Sequence, residues 1–212
     1  MAPGACSRTT VPGVTPRTYT AAAERVRRVI RVLHVSDREE LLQKIKNKAV
    51  VHGDFVLSSG KRASWYVDLR RVTLDGAAAP LVGRVMLDET ADLDYEAVGG
   101  LTLGADPVAA AMLHAAAARG RALDAFVVRK AGKAHGLQRR IEGPDVAGRR
   151  VLAVEDTSTT GGSVLTAVEA LREAGAEVVA VATILERGAA DRIAGEGLEY
   201  RHPYEVADLG LG

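Results

Sequence analysis

Residues 151–163 read Val-Leu-Ala-Val-Glu-Asp-Thr-Ser-Thr-Thr-Gly-Gly-Ser and combine several features of an α/β protein in one short segment. The apolar run 151–154 predicts a buried strand that ends at two carboxylates, Glu155 and Asp156. A turn of threonines and glycines follows, and residues 163–174 have the pattern of a helix. A buried strand that leads through a tight turn into a helix is one half of a βαβ unit, so the segment predicts the α/β class.

Strands and helices alternate on both sides of this segment. We expect strands at residues 55–57, 65–69, 95–100, 124–129, 151–154 and 177–185, and helices at residues 77–91, 105–118 and 163–174. Helices between successive strands indicate right-handed crossover connections, hence a mostly parallel central sheet flanked by helices. In such a sheet, ligands bind beyond the carboxyl ends of the strands, where Glu155 and Asp156 are expected.

The turn at residues 157–163 has the composition of a phosphate-binding site. Its hydroxyls and backbone amides stand at the start of a helix, where the dipole favours an anion, and Gly161 and Gly162 let the backbone approach closely. Two acids would repel a phosphate, so we expect Glu155 and Asp156 to face a neutral group such as a ribose diol. The Walker A and dinucleotide-binding patterns are excluded, because no lysine follows these glycines and no G-x-G-x-x-G precedes the helix.

Two further segments supply candidate anion ligands. Residues 129–136 (RKAGKAHG) place three cations and a histidine on a long polar loop, and such loops often close over a substrate. The cations would suit a multiply charged leaving group such as pyrophosphate, although the segment taken alone is more typical of an exposed basic loop. Residues 99–106 put a glycine-rich turn between a strand and a helix, which is a weaker indication of a second anion site.

Charge divides the chain near residue 36. The whole chain has 28 basic and 27 acidic residues, but residues 1–36 hold six arginines against one glutamate, a net charge of +5. We expect these residues to form a disordered or helical basic extension, either an upstream addition or a transit peptide. The domain that carries the function is then expected at residues 37–212.

Composition excludes several other classes of protein. The net charge of +1 argues against a nucleic-acid-coating surface, and no apolar run is long enough for a membrane-spanning helix. The single cysteine, Cys6, excludes an internal disulfide, and the scattered histidines lack the spacing of a helical metal site. We therefore expect a cytoplasmic protein with no metal site of its own and with neither a nucleic-acid nor a membrane partner.

Four stretches of the sequence together resemble the type I phosphoribosyltransferases. They are residues 55–61 (FVLSSGK) running into 65–70 (WYVDLR), 98–107 (VGGLTLGADP), 129–136, and 154–163 with Arg187 beyond. The last is similar to the motif that binds 5-phosphoribosyl-1-pyrophosphate (PRPP), and the Lys-x-x-Lys-x-His loop is similar to the orotate branch of the family. The resemblance covers residues 37–212 and implies the type I phosphoribosyltransferase fold, with a small N-terminal hood formed from residues before about 75.

The resemblance implies a role for each matching residue. Glu155 and Asp156 would hold the ribose hydroxyls of PRPP. The 5-phosphate would be bound by Thr157, Ser158, Thr159, Thr160, Gly161, Gly162 and Ser163. The pyrophosphate would be bound by a mobile loop carrying Arg129, Lys130, Lys133 and His135, and the catalytic residues would be Lys130, Lys133 and Asp156. Orotate would contact Thr159, Arg187, Tyr66 and Lys61, with the planar Arg187 fork as the partner of its carboxylate.

The activity that the resemblance implies is transfer of the 5-phosphoribosyl group from PRPP to orotate. The products would be orotidine 5′-monophosphate and pyrophosphate, in de novo pyrimidine (UMP) biosynthesis. The resemblance also implies Mg²⁺ as a cofactor, bound through oxygens of PRPP and water, and a homodimer with shared active sites. A phosphoribosyltransferase for another nucleobase and a non-catalytic PRPP-binding regulator are the alternatives.

The sequence departs from the family pattern at two positions. Ser58 and Gly104 stand where many members have lysine, so the first motif and the pyrophosphate turn each lack a cation. The roles of Lys61, which closely follows Ser58, and of Asp106 are therefore open.

Overall fold

The computed structural model describes residues 36–56, 62–130 and 140–211, in which helices and strands alternate. The helices are α1 (Asp37–Lys48), α2 (Arg70–Thr73), α3 (Ala79–Glu89), α4 (Ala105–Ala118), α5 (Gly162–Glu173) and α6 (Ala190–Gly195), followed by a 3-10 helix at Val206–Leu209. The strands are β1 (Val50–Val56), β2 (Arg62–Val67), β3 (Ala97–Leu101), β4 (Asp124–Val128), β5 (Ile141–Glu142), β6 (Arg150–Ser158), β7 (Glu177–Glu186), β8 (Glu199–Arg201) and β9 (Tyr204–Glu205).

The main sheet is mostly parallel, which confirms the predicted α/β class. Its strand order is β5-β4-β3-β6-β7-β8, with β9 also paired to β7 and only the short β5 antiparallel to its neighbour. The chain passes from β3 outward to β4 and then returns to the other side of β3 as β6. A parallel sheet binds its ligands at such a reversal, beyond the carboxyl ends of the two strands.

Helices cover both faces of this sheet, and the central strand β3 is apolar throughout for that reason. Every residue of β3 is buried. Met86 of α3 and Met112 of α4 belong to the core on one face, while Val168 and Leu171 of α5 belong to the core on the other. The strand ends at the β3–β6 boundary are thus held by packing on both sides.

The hood expected before residue 75 consists of α1, the antiparallel pair β1–β2, and α2. It does not have a separate core. Leu41 and Ile45 of α1 and Leu69 before α2 are fully buried in the same cluster as Met86 and Val98 of the main domain. The hood is therefore fixed to the body, and β2 stands at a defined position relative to the sheet.

Several predicted strand boundaries were wrong, three of them by more than two residues or in a way that affects the site. β1 begins at Val50 and β2 ends at Val67, earlier than the predicted strands at 55–57 and 65–69. The strand predicted at 151–154 continues to Ser158, because β6 keeps pairing with β7 as far as the Ser158–Glu186 register. Ladder hydrogen bonds outweigh the polar composition of residues 155–158, so the two carboxylates lie within the strand rather than in the turn after it.

Some predictions fall outside the described residues: those on residues 1–35, on Ser58 and Lys61, and on Lys133 and His135. The division at residue 36 therefore stays a prediction, as do the cytoplasmic location and the lack of a nucleic-acid partner. No helix in the described part of the chain is long and apolar enough to cross a bilayer.

Candidate active site

Glu155 and Asp156 lie near the carboxyl end of β6, at the reversal of strand order. Glu155 is buried, with 6% of its surface exposed, and its Oε1 accepts a hydrogen bond from the Asp156 amide at 3.1 Å. Asp156 Oδ1 accepts one from the Thr157 amide at 2.7 Å. These bonds come from the backbone, and among the described residues no cationic side chain is bonded to either carboxylate. The pair is therefore oriented by the strand and left available to a ligand.

Burial and mutual repulsion change the ionisation of this pair. Burial, followed by the negative charge of Asp156, raises the pKa of Glu155 to about 8. Burial also raises the pKa of Asp156, although the Thr157 amide and the charge of Arg70 act in the opposite direction. Glu155 therefore keeps its proton at neutral pH, and the pair can donate as well as accept a hydrogen bond.

The turn between β3 and α4 contacts the acid pair directly. A Cβ on Gly104 would lie 2.2 Å from Glu155 Oε1 and 2.8 Å from Asp156 Oδ1, so any side chain at this position would displace the two carboxylates. Thr102 Oγ1 donates to Asp106 Oδ2 at 2.7 Å across the same turn. Asp106 Oδ1 is buried without a partner among the described residues, and the charge of Asp106 contributes to the raised pKa of Glu155.

Hydroxyl groups of residues 157 and 158 form hydrogen bonds that stabilise the backbone of the turn at 157–163. Thr157 Oγ1 donates to Leu185 O at 3.1 Å, and Ser158 Oγ accepts from the Gly161 amide at 3.2 Å. Gly161 has a φ of +74° at the N-terminus of α5, a conformation that costs glycine little. The hydroxyl-bearing side chains left exposed are Thr159, Thr160 and Ser163. Exposed hydroxyls around a helix N-terminus are a typical arrangement for binding a phosphate.

Arg187 follows β7 and lies beside this turn. Its amide donates to Ser158 O at 3.0 Å, and its guanidinium carbon is 5.4 Å from the centre of the Trp65 ring. Burial lowers the pKa of Arg187, against the charges of Tyr66 and Asp156, and its Nε is buried without a partner in the described part of the chain. A desolvated guanidinium with an unused donor is suited to a carboxylate ligand.

Comparison with known proteins agrees with this geometry. The profile of the phosphoribosyl transferase domain matches residues 99–209. Orotate phosphoribosyltransferase of Streptomyces avermitilis is 75% identical over 177 residues, which are 82% of this chain and 97% of that protein. The enzyme of the same name from Corynebacterium glutamicum is 59% identical over 181 residues, 84% of this chain and 97% of that protein. The crystal structure of the Mycobacterium tuberculosis enzyme in complex with PRPP has a TM-score of 0.73 and 53% identity, covering 83% of this chain and all of that one.

The chain belongs to the orotate phosphoribosyltransferase family. The structure brings together most of the residues that the family resemblance singled out. The acid pair, the turn at 157–163 and Arg187 all lie at the carboxyl ends of β6 and β7. Tyr66 of β2 is 38% exposed, and its ring centre lies 6.1 Å from that of Phe55.

The loop residues of the family pattern are only partly described. Arg129 follows β4 and forms an ion pair with Glu142 of β5 at 3.4 Å, while Lys130 is exposed. Lys61, Lys133 and His135 lie outside the described residues, so their roles stay predictions.

Sequence reasoning assigned no role to Asp68 and Arg70, yet both influence the acid pair. Arg70 Nε donates to Asp68 Oδ1 at 2.8 Å, and the charges of both residues act on the pKa of Asp156, Arg70 lowering it and Asp68 raising it. The only sequence signal was their position directly after β2, within the segment 65–70 that resembles the orotate phosphoribosyltransferases. The effect of Arg70 on the acid pair depends on how the hood packs against the main domain, so local sequence pattern does not predict it.

The glycine at position 104 is the departure from the family pattern that the structure explains. Many orotate phosphoribosyltransferases have lysine there, but in this chain both carboxylates occupy the space into which any side chain would extend. A lysine would require the acid pair to move. Arg70, whose charge lowers the pKa of Asp156, is instead the nearby cation that the described structure provides.

Proposed function

We propose that this protein transfers the 5-phosphoribosyl group of PRPP to orotate, giving orotidine 5′-monophosphate and pyrophosphate for UMP biosynthesis. The proposal rests on one observation: groups suited to a sugar phosphate and a group suited to a carboxylate lie close together. A buried carboxylate pair and a helix N-terminus with exposed hydroxyls lie on β6–α5, and an arginine with an unused buried donor lies beside them after β7. The family relationship supports the same assignment.

The ribose of PRPP binds to Glu155 and Asp156 in this proposal. A vicinal diol needs both acceptors and donors, and a buried carboxylate pair that holds one proton offers both. A ribose without charge also avoids the repulsion that would keep a phosphate from this position. The 5-phosphate then extends to the turn at 157–163, where Thr159, Thr160 and Ser163 expose hydroxyls and the amides of α5 begin.

Orotate binds on the side of Arg187. The guanidinium fork pairs with the orotate carboxylate, which supplies the acceptors that its buried Nε lacks. Thr159 and the exposed ring of Tyr66 flank the pyrimidine, and the contact of Arg187 with Trp65 fixes the direction of the fork. Lys61 is proposed as a further contact to orotate on the basis of the family pattern alone.

The reaction breaks the bond between the anomeric carbon and the pyrophosphate oxygen and forms a bond from that carbon to N1 of orotate. Positive charge develops on the ribose ring as pyrophosphate departs, and the Asp156 carboxylate beside the ring stabilises it. Orotate loses its N1 proton before the attack, so the protein needs no strong base. Arg129, Lys130, Lys133 and His135 stabilise the charge on pyrophosphate, and Lys130 and Lys133 thereby act as catalytic residues together with Asp156.

The chain's own residues fit a magnesium ion that arrives with PRPP. Among the described residues no group of three or more His, Cys, Asp or Glu side chains could hold a metal ion. Mg²⁺ commonly binds through substrate phosphates and waters with only one or two carboxylates, and Asp106, whose Oδ1 is buried without a partner in the described part of the chain, would supply one such oxygen. Bound there, the ion would neutralise charge on the pyrophosphate as it departs.

We further propose that the protein is a homodimer with shared active sites. An apolar groove of about 720 Å³ lies between α3 and α4, and its lining includes Leu74, Pro107 and Ala111. Leu74 is 69% exposed and Leu103 is 60% exposed, which is unusual for large apolar side chains. Leu103 immediately precedes Gly104, so a second copy seated on this surface would lie next to the acid pair.

One assay tests the proposed activity. Purified protein with PRPP and Mg²⁺ is offered orotate, uracil, adenine or hypoxanthine, and consumption of each base is followed. We expect turnover with orotate alone. Turnover with a different base would assign the protein to that base, and binding of PRPP without turnover of any base would make it a regulator.

A further inference from the structure

Glu186 is the immediate neighbour of Arg187, and the partners of its carboxylate are not the arginine. Glu186 Oε1 accepts from the amides of Gly188 at 2.6 Å and Ala190 at 3.2 Å, and Oε2 accepts from Tyr200 Oη at 2.8 Å. Only 9% of the Glu186 surface is exposed. These bonds fold the chain back on itself after β7 and make the carboxylate the centre of the turn that carries Arg187.

Tyr200, the third partner of Glu186, connects this turn to a residue of the sheet. Tyr200 Oη also lies 2.7 Å from the hydroxyl of Thr183, which is fully buried in β7. Burial, with the Glu186 charge, raises the pKa of Tyr200, so the phenol keeps its single proton and donates it to Glu186. Thr183 is then the donor to Tyr200, and the three side chains form one directed chain from Thr183 through Tyr200 to Glu186.

Glu186 remains ionised although it is buried. Burial raises its pKa, but the hydrogen bonds from Tyr200 and from the amides of Gly188 and Ala190 outweigh burial and hold the pKa below its usual value. An ionised carboxylate next to a recognition arginine would compete with the carboxylate of the substrate for the guanidinium. Here both carboxylate oxygens already accept hydrogen bonds from the Gly188 and Ala190 amides and from Tyr200.

The same turn is pressed against the phosphate-binding turn. The Arg187 amide donates to Ser158 O, and a Cβ on Gly188, which has a φ of +114°, would lie 3.4 Å from Thr159 O. The direction of the Arg187 side chain thus depends on the backbone of this turn, which the hydrogen bonds of Glu186 and Tyr200 stabilise. Within the described part of the chain, the buried Nε of Arg187 has no hydrogen-bond partner.

We propose that Glu186 and Tyr200 are positioning residues that hold Arg187 for the carboxylate of the pyrimidine substrate and keep the neighbouring acid from pairing with it. This inference rests on the proposed function for the identity of the substrate. The positioning of Arg187 does not depend on the substrate, because it concerns the orientation of Arg187 over Trp65, the chain's single tryptophan. The two can therefore be measured separately.

The test compares Tyr200→Phe, Glu186→Ala and Glu186→Gln with the wild-type protein in the full chain. Tyr204→Phe is the control, because Tyr204 is a buried tyrosine close to Tyr200 in the sequence whose hydroxyl instead bonds to Arg38 O at 2.6 Å. We expect Tyr200→Phe and Glu186→Ala to raise KM for orotate about tenfold while KM for PRPP changes less than about twofold. Glu186→Gln keeps an acceptor for the two amides and should rescue most of the loss.

Tryptophan fluorescence gives the readout that needs no activity. Tyr200→Phe and Glu186→Ala should shift the emission of Trp65 in the same direction as Arg187→Ala does, and Tyr204→Phe should leave it unchanged. Wild-type KM for orotate in both variants, or equal changes in KM for orotate and PRPP, would overturn the positioning role. If the wild-type protein does not turn over orotate, the proposed function fails, and unshifted Trp65 emission in both variants would then overturn the positioning role as well.

Discussion

Gly104 lies against the Glu155 side chain: a Cβ on the glycine would come within 2.2 Å of the glutamate Oε1. The glycine belongs to the turn after β3 and the glutamate to β6, which are adjacent strands joined in register from Ala97–Val151 onward. The turn proposed to bind pyrophosphate and the acids proposed to bind ribose are therefore set against each other by the sheet. A displacement of one must displace the other.

Gly104→Ala should impair activity far more than stability. The added methyl meets the far ends of two carboxylate side chains, which can move, rather than rigid backbone. Moving them misplaces the ribose ligands, and we expect kcat/KM for PRPP to fall by roughly 100-fold. Steady-state kinetics and a thermal melt of the same sample measure both effects.

Gly195→Ala is the control for this substitution, since no atom lies within 4 Å of its Cβ position and it is the last residue of α6. It should leave kinetics unchanged. Equal kinetics for Gly104→Ala and Gly195→Ala would contradict the close approach.

The raised pKa of Glu155 predicts that the ligand-free protein loses stability as pH rises. The folded chain holds this proton up to a pH of about 8, whereas an unfolded glutamate releases it near 4.5. Between these values the folded state binds more protons, so the free energy of unfolding decreases with increasing pH. Glu155→Gln removes this pH-dependent loss of stability, so its free energy of unfolding at pH 8 should exceed that of the wild type by on the order of 2 to 4 kcal/mol. Denaturant unfolding from pH 5 to pH 9 measures it, and parallel curves for the two proteins would refute the raised pKa.

Arg187→Lys should separate charge from geometry in the recognition of orotate. Lysine keeps the positive charge but loses the planar fork and the contact with Trp65. We expect KM for orotate to rise about 10- to 100-fold, with KM for PRPP nearly unchanged. Arg172→Lys, on the exposed face of α5, is the matched control. An unaltered KM for orotate in Arg187→Lys would remove Arg187 from the orotate site.

The sequence predicted what depends on local pattern. The helix expected at 105–118 has those bounds in the structure, because its alanine-rich run is bordered by a glycine turn and by Gly120. The acid pair and the turn after it were also located correctly on the chain, since apolar strands, carboxylates and glycine turns are short-range signals. The α/β class followed from the same alternation.

Long-range contacts account for what the sequence did not predict. The strand at 151–154 was extended to Ser158 by pairing with β7, which residues 155–158 themselves do not encode. The approach of Gly104 to Glu155, the charge of Arg70 at Asp156 and the bond from Tyr200 to Glu186 join residues far apart in the chain. The first and the last arise from the strand order of the parallel sheet, and the approach of Arg70 arises from the packing of the hood, so none of the three is set by composition.

Hybrid dimers test whether one subunit completes the site of the other. Lys133→Ala should abolish most activity by removing a loop cation, and Asp156→Asn should do so by removing a carboxylate at the ribose. If the loop acts on the neighbouring subunit, a hybrid of the two variants contains one site with both groups intact and one with neither. Random exchange of equal amounts makes half of the dimers hybrid, so about one quarter of the wild-type activity should return on mixing.

A loop that acts within its own subunit gives the opposite result. Every site in the hybrid then lacks either Lys133 or Asp156, and mixing restores nothing. Co-refolding the two variants, with each variant refolded alone as the control, distinguishes the cases by activity per site. Light scattering on the same samples reports the oligomeric state. Because the exposed Leu103 borders the turn at Gly104, Leu103→Glu in both variants should weaken the dimer and lower the restored activity in parallel.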